Sequence, residues 1–227
     1  MKKNTINCWI PLVLAVGLGP GSVAASTNGF VVPEFRGAAG SEAGYWESFT
    51  VPVGAPGNAP DRPGATTGAT LWQSDPAAFI TGSGNLYNLT GVSQFTVQDA
   101  TAAALGTVVL QIRTLGSELD YGSVALHYAD GSGTHSLSPL FRLELDRGTV
   151  LGASVSSLWQ WDLRGLDVDD YSIGFQAAAP SLSLDAMTLD TWTSFVPVPE
   201  PSAPLLAGAG MALCLGVGWM RRMRGSR

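Results

Sequence analysis

The sequence predicts an all-β protein, an antiparallel β-sandwich of jelly-roll type, with a signal peptide before it and a transmembrane helix after it. Three observations predict this. Apolar and polar residues alternate with period two in segment after segment, which gives strands one dry face and one wet face. Gly-rich turn signals separate these segments at short intervals, and no long amphipathic helix interrupts them. Uncharged apolar runs stand at both ends, outside a polar and charged middle.

The head comes first. Lys2 and Lys3 precede an apolar stretch from Trp9 to Leu18, and small residues follow, with Val23 and Ala25 placed for cleavage near Ser26. This is the pattern of a secretory signal peptide over residues 1–25. It implies handling by the export machinery and a signal peptidase. Residues 26–44 carry few large apolar groups and read as an N-terminal arm.

Residues 45–195 hold the sandwich. The clearest strands place Phe95 and Val97 against Gln94, Thr96 and Gln98, and Val108, Leu110 and Ile112 against Thr107, Gln111 and Arg113. Next, Val124, Leu126 and Tyr128 alternate with Ser123, Ala125 and His127, and Phe141, Leu143 and Leu145 with Arg142, Glu144 and Asp146. Tyr171, Ile173 and Phe175 alternate with Ser172, Gly174 and Gln176. Further strands are expected over 49–53, 69–72, 85–89, 158–163 and 182–189. The apolar phase slips between Leu184 and Met187, so a β-bulge is expected near Asp185-Ala186. Residues 53–70, with three prolines and four glycines, read as a long surface loop.

Charge narrows the function. Residues 26–198 carry six arginines, no lysine and 17 acids, a net charge of −11. A field of that sign opposes nucleic acid and anionic membrane surfaces. Both cysteines, Cys8 and Cys214, lie in the terminal segments, so the exported part has no disulfide, thiol nucleophile or thiolate metal ligand.

Catalytic motifs are missing. His127 and His135 are the only histidines, and no Gly-x-Ser-x-Gly or His-Glu-x-x-His pattern occurs. Glu118 with Asp120, and Glu144 with Asp146, have the spacing of paired carboxylates, about 6–7 Å along a strand face. Acids on a wet sheet face are equally expected in a chain this acidic. The protein is therefore read as non-catalytic, with a secreted carbohydrate-active enzyme as an alternative.

Two clusters suggest binding. Asp167, Asp169 and Asp170 could contribute oxygen ligands to a structural Ca²⁺, or form a plain acidic turn. Trp159 and Trp161 share a strand face. If that face is wet they make a stacking platform for sugar rings; if dry they fill the core. Gln160 and Asp162 make the opposite face the more polar one, which favours the core.

The tail is the most specific segment. Residues 196–202 hold Pro199, Glu200 and Pro201, whose prolines keep the chain extended. Ala203 to Met220 is 18 residues without a charge, about 27 Å of helix at about 1.5 Å per residue, close to the thickness of a bilayer core. Arg221, Arg222, Arg224 and Arg227 in the 221–227 tail then hold that end in the cytoplasm. Motif, span and basic cluster together resemble the PEP-CTERM sorting signal of Gram-negative bacteria. The resemblance implies passage through the inner membrane, cleavage by an exosortase supplied in trans, and residence at the cell surface or in an extracellular matrix rich in exopolysaccharide. It makes Pro199, Glu200 and Pro201 a substrate segment. Residues 182–191 and 108–128 also resemble strands of carbohydrate-binding-like jelly rolls in exported bacterial proteins. The reading is thus of a surface or matrix protein that binds exopolysaccharide, with a purely structural or adhesive matrix component as the alternative.

Overall fold

The computed structural model describes residues 29–100, 105–149, 153–168 and 170–193. The expected signal peptide, sorting motif and 203–220 span lie outside them. Among the described residues no helix is long and apolar enough to cross a membrane.

Among the described residues twelve strands follow one another: β1 (Ser41–Trp46), β2 (Thr70–Gln73), β3 (Phe79–Ile80), β4 (Leu86–Asn88), β5 (Gln94–Ala100) and β6 (Leu105–Gly116). After a 3₁₀ turn at Tyr121–Ser123 come β7 (Ala125–Asp130), β8 (Gly133–Leu137), β9 (Phe141–Gly148), β10 (Ala153–Asp162), β11 (Asp170–Gln176) and β12 (Leu182–Thr193). They form two antiparallel sheets. The seven-stranded sheet runs β3-β4-β12-β6-β10-β9, with β1 also on β12, and the five-stranded sheet runs β2-β5-β11-β7-β8. The all-β, two-sheet expectation holds.

Period two accounts for the core. Leu110, Ile112, Trp159, Trp161, Met187 and Leu189 of the large sheet meet Leu71, Phe95, Val97, Leu126, Ile173 and Phe175 of the small one. Phe95 and Phe175, paired in register, stack with ring centroids 5.0 Å apart. Each such side chain contributes about 1.5–3 kcal/mol on burial. The expected bulge is present as a register shift between Leu184 and Ala186. It lets Leu184 and Met187 both face inward, and Asp185 is left to accept from Asn85 Nδ2 at 2.9 Å.

Three local expectations are corrected. Residues 49–53 form no strand, because Asn58 Oδ1 takes the Thr50 and Val51 amides (2.8 Å each) and holds that stretch as a loop. The same asparagine's carbonyl accepts from Trp46 Nε1 at 2.8 Å, so the Pro- and Gly-rich 53–70 segment is pinned to the core. Strand β8 follows the Asp130 turn as a tight hairpin that alternation alone did not show.

The third concerns β9, whose apolar residues face out. Arg142 pairs with Trp159 and Glu144 with Ser157, on the inner side, while Leu143 beside Leu158 stays 52% exposed. The sandwich mouth here is lined by polar groups. The Arg142 guanidinium lies 3.3 Å from the centre of the Tyr121 ring, and Arg147 bridges Glu118 (2.6 Å) and Glu144 (2.7 Å).

The arm is structured too. Residues 29–40 lie across the outer face of the large sheet before the chain enters β1. Val31 N donates to Gln111 Oε1 and Gln111 Nε2 donates back to Val31 O, both at 2.8 Å. Arg36 binds Asp190 through two hydrogen bonds of 2.5 and 2.6 Å, and Phe35 stacks on Trp192.

Candidate functional site

The outer face of the small sheet has no such cover among the described residues. Its side chains stand in rows fixed by strand register. One row reads Thr70, Gln98, Ser172, His127 and Ser136 across all five strands. The row on one side reads Trp72, Thr96, Gly174 and Ala125; the row on the other reads Ala100, Asp170, Ala129 and Thr134. Strands lie about 4.8 Å apart, so the five-residue row is about 19 Å long.

Side-chain size then shapes the surface. Ala100 and Ala129 leave one flank of the central row low, while Trp72 stands on the other flank. The result is a trough of about 350 Å³ lined by Thr70, Trp72, Gln98, His127, Asp170 and Ser172, among others. A Cβ at Gly174 would meet nothing nearer than His127 Nε2 at 3.9 Å, so that histidine leans over the glycine. No arginine or lysine lines the trough. Hydroxyl, amide and imidazole groups beside one indole ring can hydrogen-bond and stack, but they offer no counter-charge to an anion.

Behind the trough, Asp99 and Tyr171 pair in register and turn their side chains to the inner side of the same sheet. The Asp99 carboxylate accepts from Thr67 Oγ1 at 2.7 Å and from the Tyr171 hydroxyl at 3.2 Å. Burial pushes its pKa above the usual value, and these donors pull it back in part. Burial, with the nearby Asp99 charge, pushes the Tyr171 phenol up as well.

The residues singled out from sequence fall elsewhere. Trp159 and Trp161 are 0% exposed and fill the core, because their strand face is the inner one. Neither ring offers a face to a sugar, which corrects the stacking-platform reading. Trp161 Nε1 donates to Leu137 O at 3.0 Å. Asp167 is exposed and Asp170 opens β11 on the trough, while Asp169 lies outside the described residues. Among the described residues no group of three or more His, Cys, Asp or Glu side chains is placed to hold a metal.

The carboxylate pairs are engaged in structure. Arg147 and the Tyr121 hydroxyl hold Glu118 down to about 2, and burial, with the Glu118 carboxylate beside it, pushes Tyr121 up to about 12. A carboxyl at about 2 is ionised at neutral pH and has no proton to donate as a general acid. Asp120 caps the 3₁₀ turn and accepts from Gln176 Nε2 at 3.1 Å. Arg147 holds Glu144 below its usual value. Ser132 and His135 cap Asp130, which is lowered to about 2 and closes the β7–β8 hairpin.

The trough was missed because its residues come from separate strands and form no linear motif. The signal available was the polar phase itself: Gln98, His127 and Ser172 all occupy wet positions in the alternation. Trp72 carried no such signal.

No protein-family model matches the chain, and no curated protein matches it. Among solved structures, the enzymatically active domain of bacteriophage CBA120 tailspike protein 4 is similar over 73% of this chain and 21% of that one, with 9% identity and a TM-score of 0.28. The chain thus spans about a fifth of that domain, and a likeness of this degree says nothing about function.

Proposed function

We propose that this is an exported bacterial protein of the cell surface or extracellular matrix, non-catalytic, cut from its membrane anchor by an exosortase and in contact with exopolysaccharide. The observation that carries the reading is the order of the tail: Pro199-Glu200-Pro201, an uncharged run from Ala203 to Met220, then four arginines. The domain fits the task. The last described strand, β12, ends at Thr193, before the motif.

We assign the domain to the jelly rolls. In support, β4, β12, β6 and β10 stand side by side in one sheet and β5, β11, β7 and β8 in the other, so the chain crosses repeatedly between sheets. A purely adhesive matrix role is the second reading, favoured by the exposed Leu140, Phe141 and Leu143 before and along the β9 edge.

The test is the intact mass and cell fraction of the native protein, with and without its exosortase. A product beginning near Ser26 and lacking the 203–227 segment only when the exosortase is present is the expected result. A full-length tail in both strains would make this an ordinary membrane-anchored protein.

A further inference from the structure

We infer that the trough on the outer face of the small sheet is a binding site for an uncharged polysaccharide chain lying across the strands. The inference rests on the proposed matrix location for its supply of ligand, and on the trough's own chemistry for its specificity.

Three features select that ligand. Gln98, Ser172 and His127 present an amide, a hydroxyl and an imidazole on adjacent strands, one group every 4.8 Å or so. A pyranose chain carries hydroxyls at a comparable repeat, so successive sugars meet successive strands. Trp72 flanks the row and offers apolar ring area for the C–H face of a sugar. The small Ala100 and Ala129 side chains in the lining let the chain sit down onto the sheet.

Charge excludes the alternatives. No cationic lysine or arginine lines the trough, Asp170 stands at its edge, and residues 26–198 carry −11. A polyuronate or a nucleic acid meets repulsion with no compensating partner. The volume of about 350 Å³ is at the small end for ligand pockets, as expected for a site that holds a few sugars of a long chain with its ends left outside.

The test uses the full-length chain, solubilised in a detergent without a sugar headgroup. Binding is read by calorimetry and by gel retardation in polymer-loaded gels. The probes are neutral gluco-, manno-, galacto- and xylo-oligosaccharides with their parent polymers, and alginate as the anionic control. The expected result is binding of at least one neutral series and none of alginate. Ser172→Tyr, which fills the trough from the central strand, should weaken that binding at least tenfold, as should Trp72→Ala. If Trp72→Ala fails to fold, Ser172→Tyr alone decides, since Ser172 lies outside the core. A folded chain that retards no neutral polymer overturns the proposal. So does neutral binding that Ser172→Tyr leaves unchanged, or alginate binding of equal strength. A correctly processed tail with no glycan binding sinks the trough and spares the export reading. Glycan binding with an unprocessed tail does the reverse.

Discussion

The two outer faces of this sandwich are built on the same alternation and end in opposite states. On the large sheet, Gln111, Ser156, Thr188 and Asp190 occupy outward positions and are buried, because residues 29–40 cross over them. On the small sheet the equivalent polar row, Gln98, Ser172 and His127, is left open as a trough. A polar outward residue therefore does not by itself mark solvent. What separates the faces is whether a neighbouring segment brings partners. Gln111 finds the Val31 backbone and Asp190 finds Arg36, each satisfied in full, as buried polar groups require.

The comparison can be broken most directly at Arg36. Arg36→Leu leaves the fully buried Asp190 carboxylate without its cation, and should lower unfolding stability by about 3 kcal/mol. Urea denaturation measures it, and a loss below about 0.5 kcal/mol would mean the arm is no real cover. Gln111→Ala comes next. It orphans the Val31 amide and carbonyl under the arm and should cost about 2 kcal/mol in the same assay.

Acid titration sharpens the picture in two opposite directions. Glu118, held at about 2 on the open rim, adds stability that is complete above its ordinary 4.5 and is lost as pH falls from there toward 2. Glu118→Gln should flatten that acid limb of the melting temperature. Asp99, buried on the inner side of the small sheet, has a raised pKa. Its folded form holds the proton longer, so stability falls as pH rises from 3.8 through the raised value. Asp99→Asn should abolish that fall. Two curves of the same slope sign for the two variants would contradict these placements. The smallest effect belongs to the open face: Gln98→Ala should change unfolding stability by no more than about 0.5 kcal/mol, since the side chain is exposed and outside the core.

Much of this was legible in the sequence, for one physical reason. Where a strand sits between two others, side-chain phase gives the inward face, so the inward residues of 94–98, 107–113 and 171–176 read correctly, even where the arm buries outward Gln111 as well. The bulge at Asp185 was legible because a slipped phase has few other causes. At the edges the rule fails. The apolar phase of β9 faces outward, and its inner phase instead sets Arg142 over the ring of Tyr121, from a distant turn. The 49–53 stretch looked like a strand, but a single asparagine took its amides. Trp159 and Trp161 could be settled only by knowing which sheet face was inner. The trough was beyond reach for the same reason: five strands contribute to it, and only their register brings the side chains together.

One last property follows from where β12 lies. It is the strand that leads into the tail, and it sits in the interior of its sheet, with β6 along one side and β4 and β1 along the other. On the proposed export reading, drag on the domain before cleavage would be transmitted to the membrane through that strand. A pull along β12 loads its flanking hydrogen bonds together, in shear, instead of peeling them one by one as a tug on an edge strand would. The tether is therefore fastened where the domain is mechanically hardest to unravel.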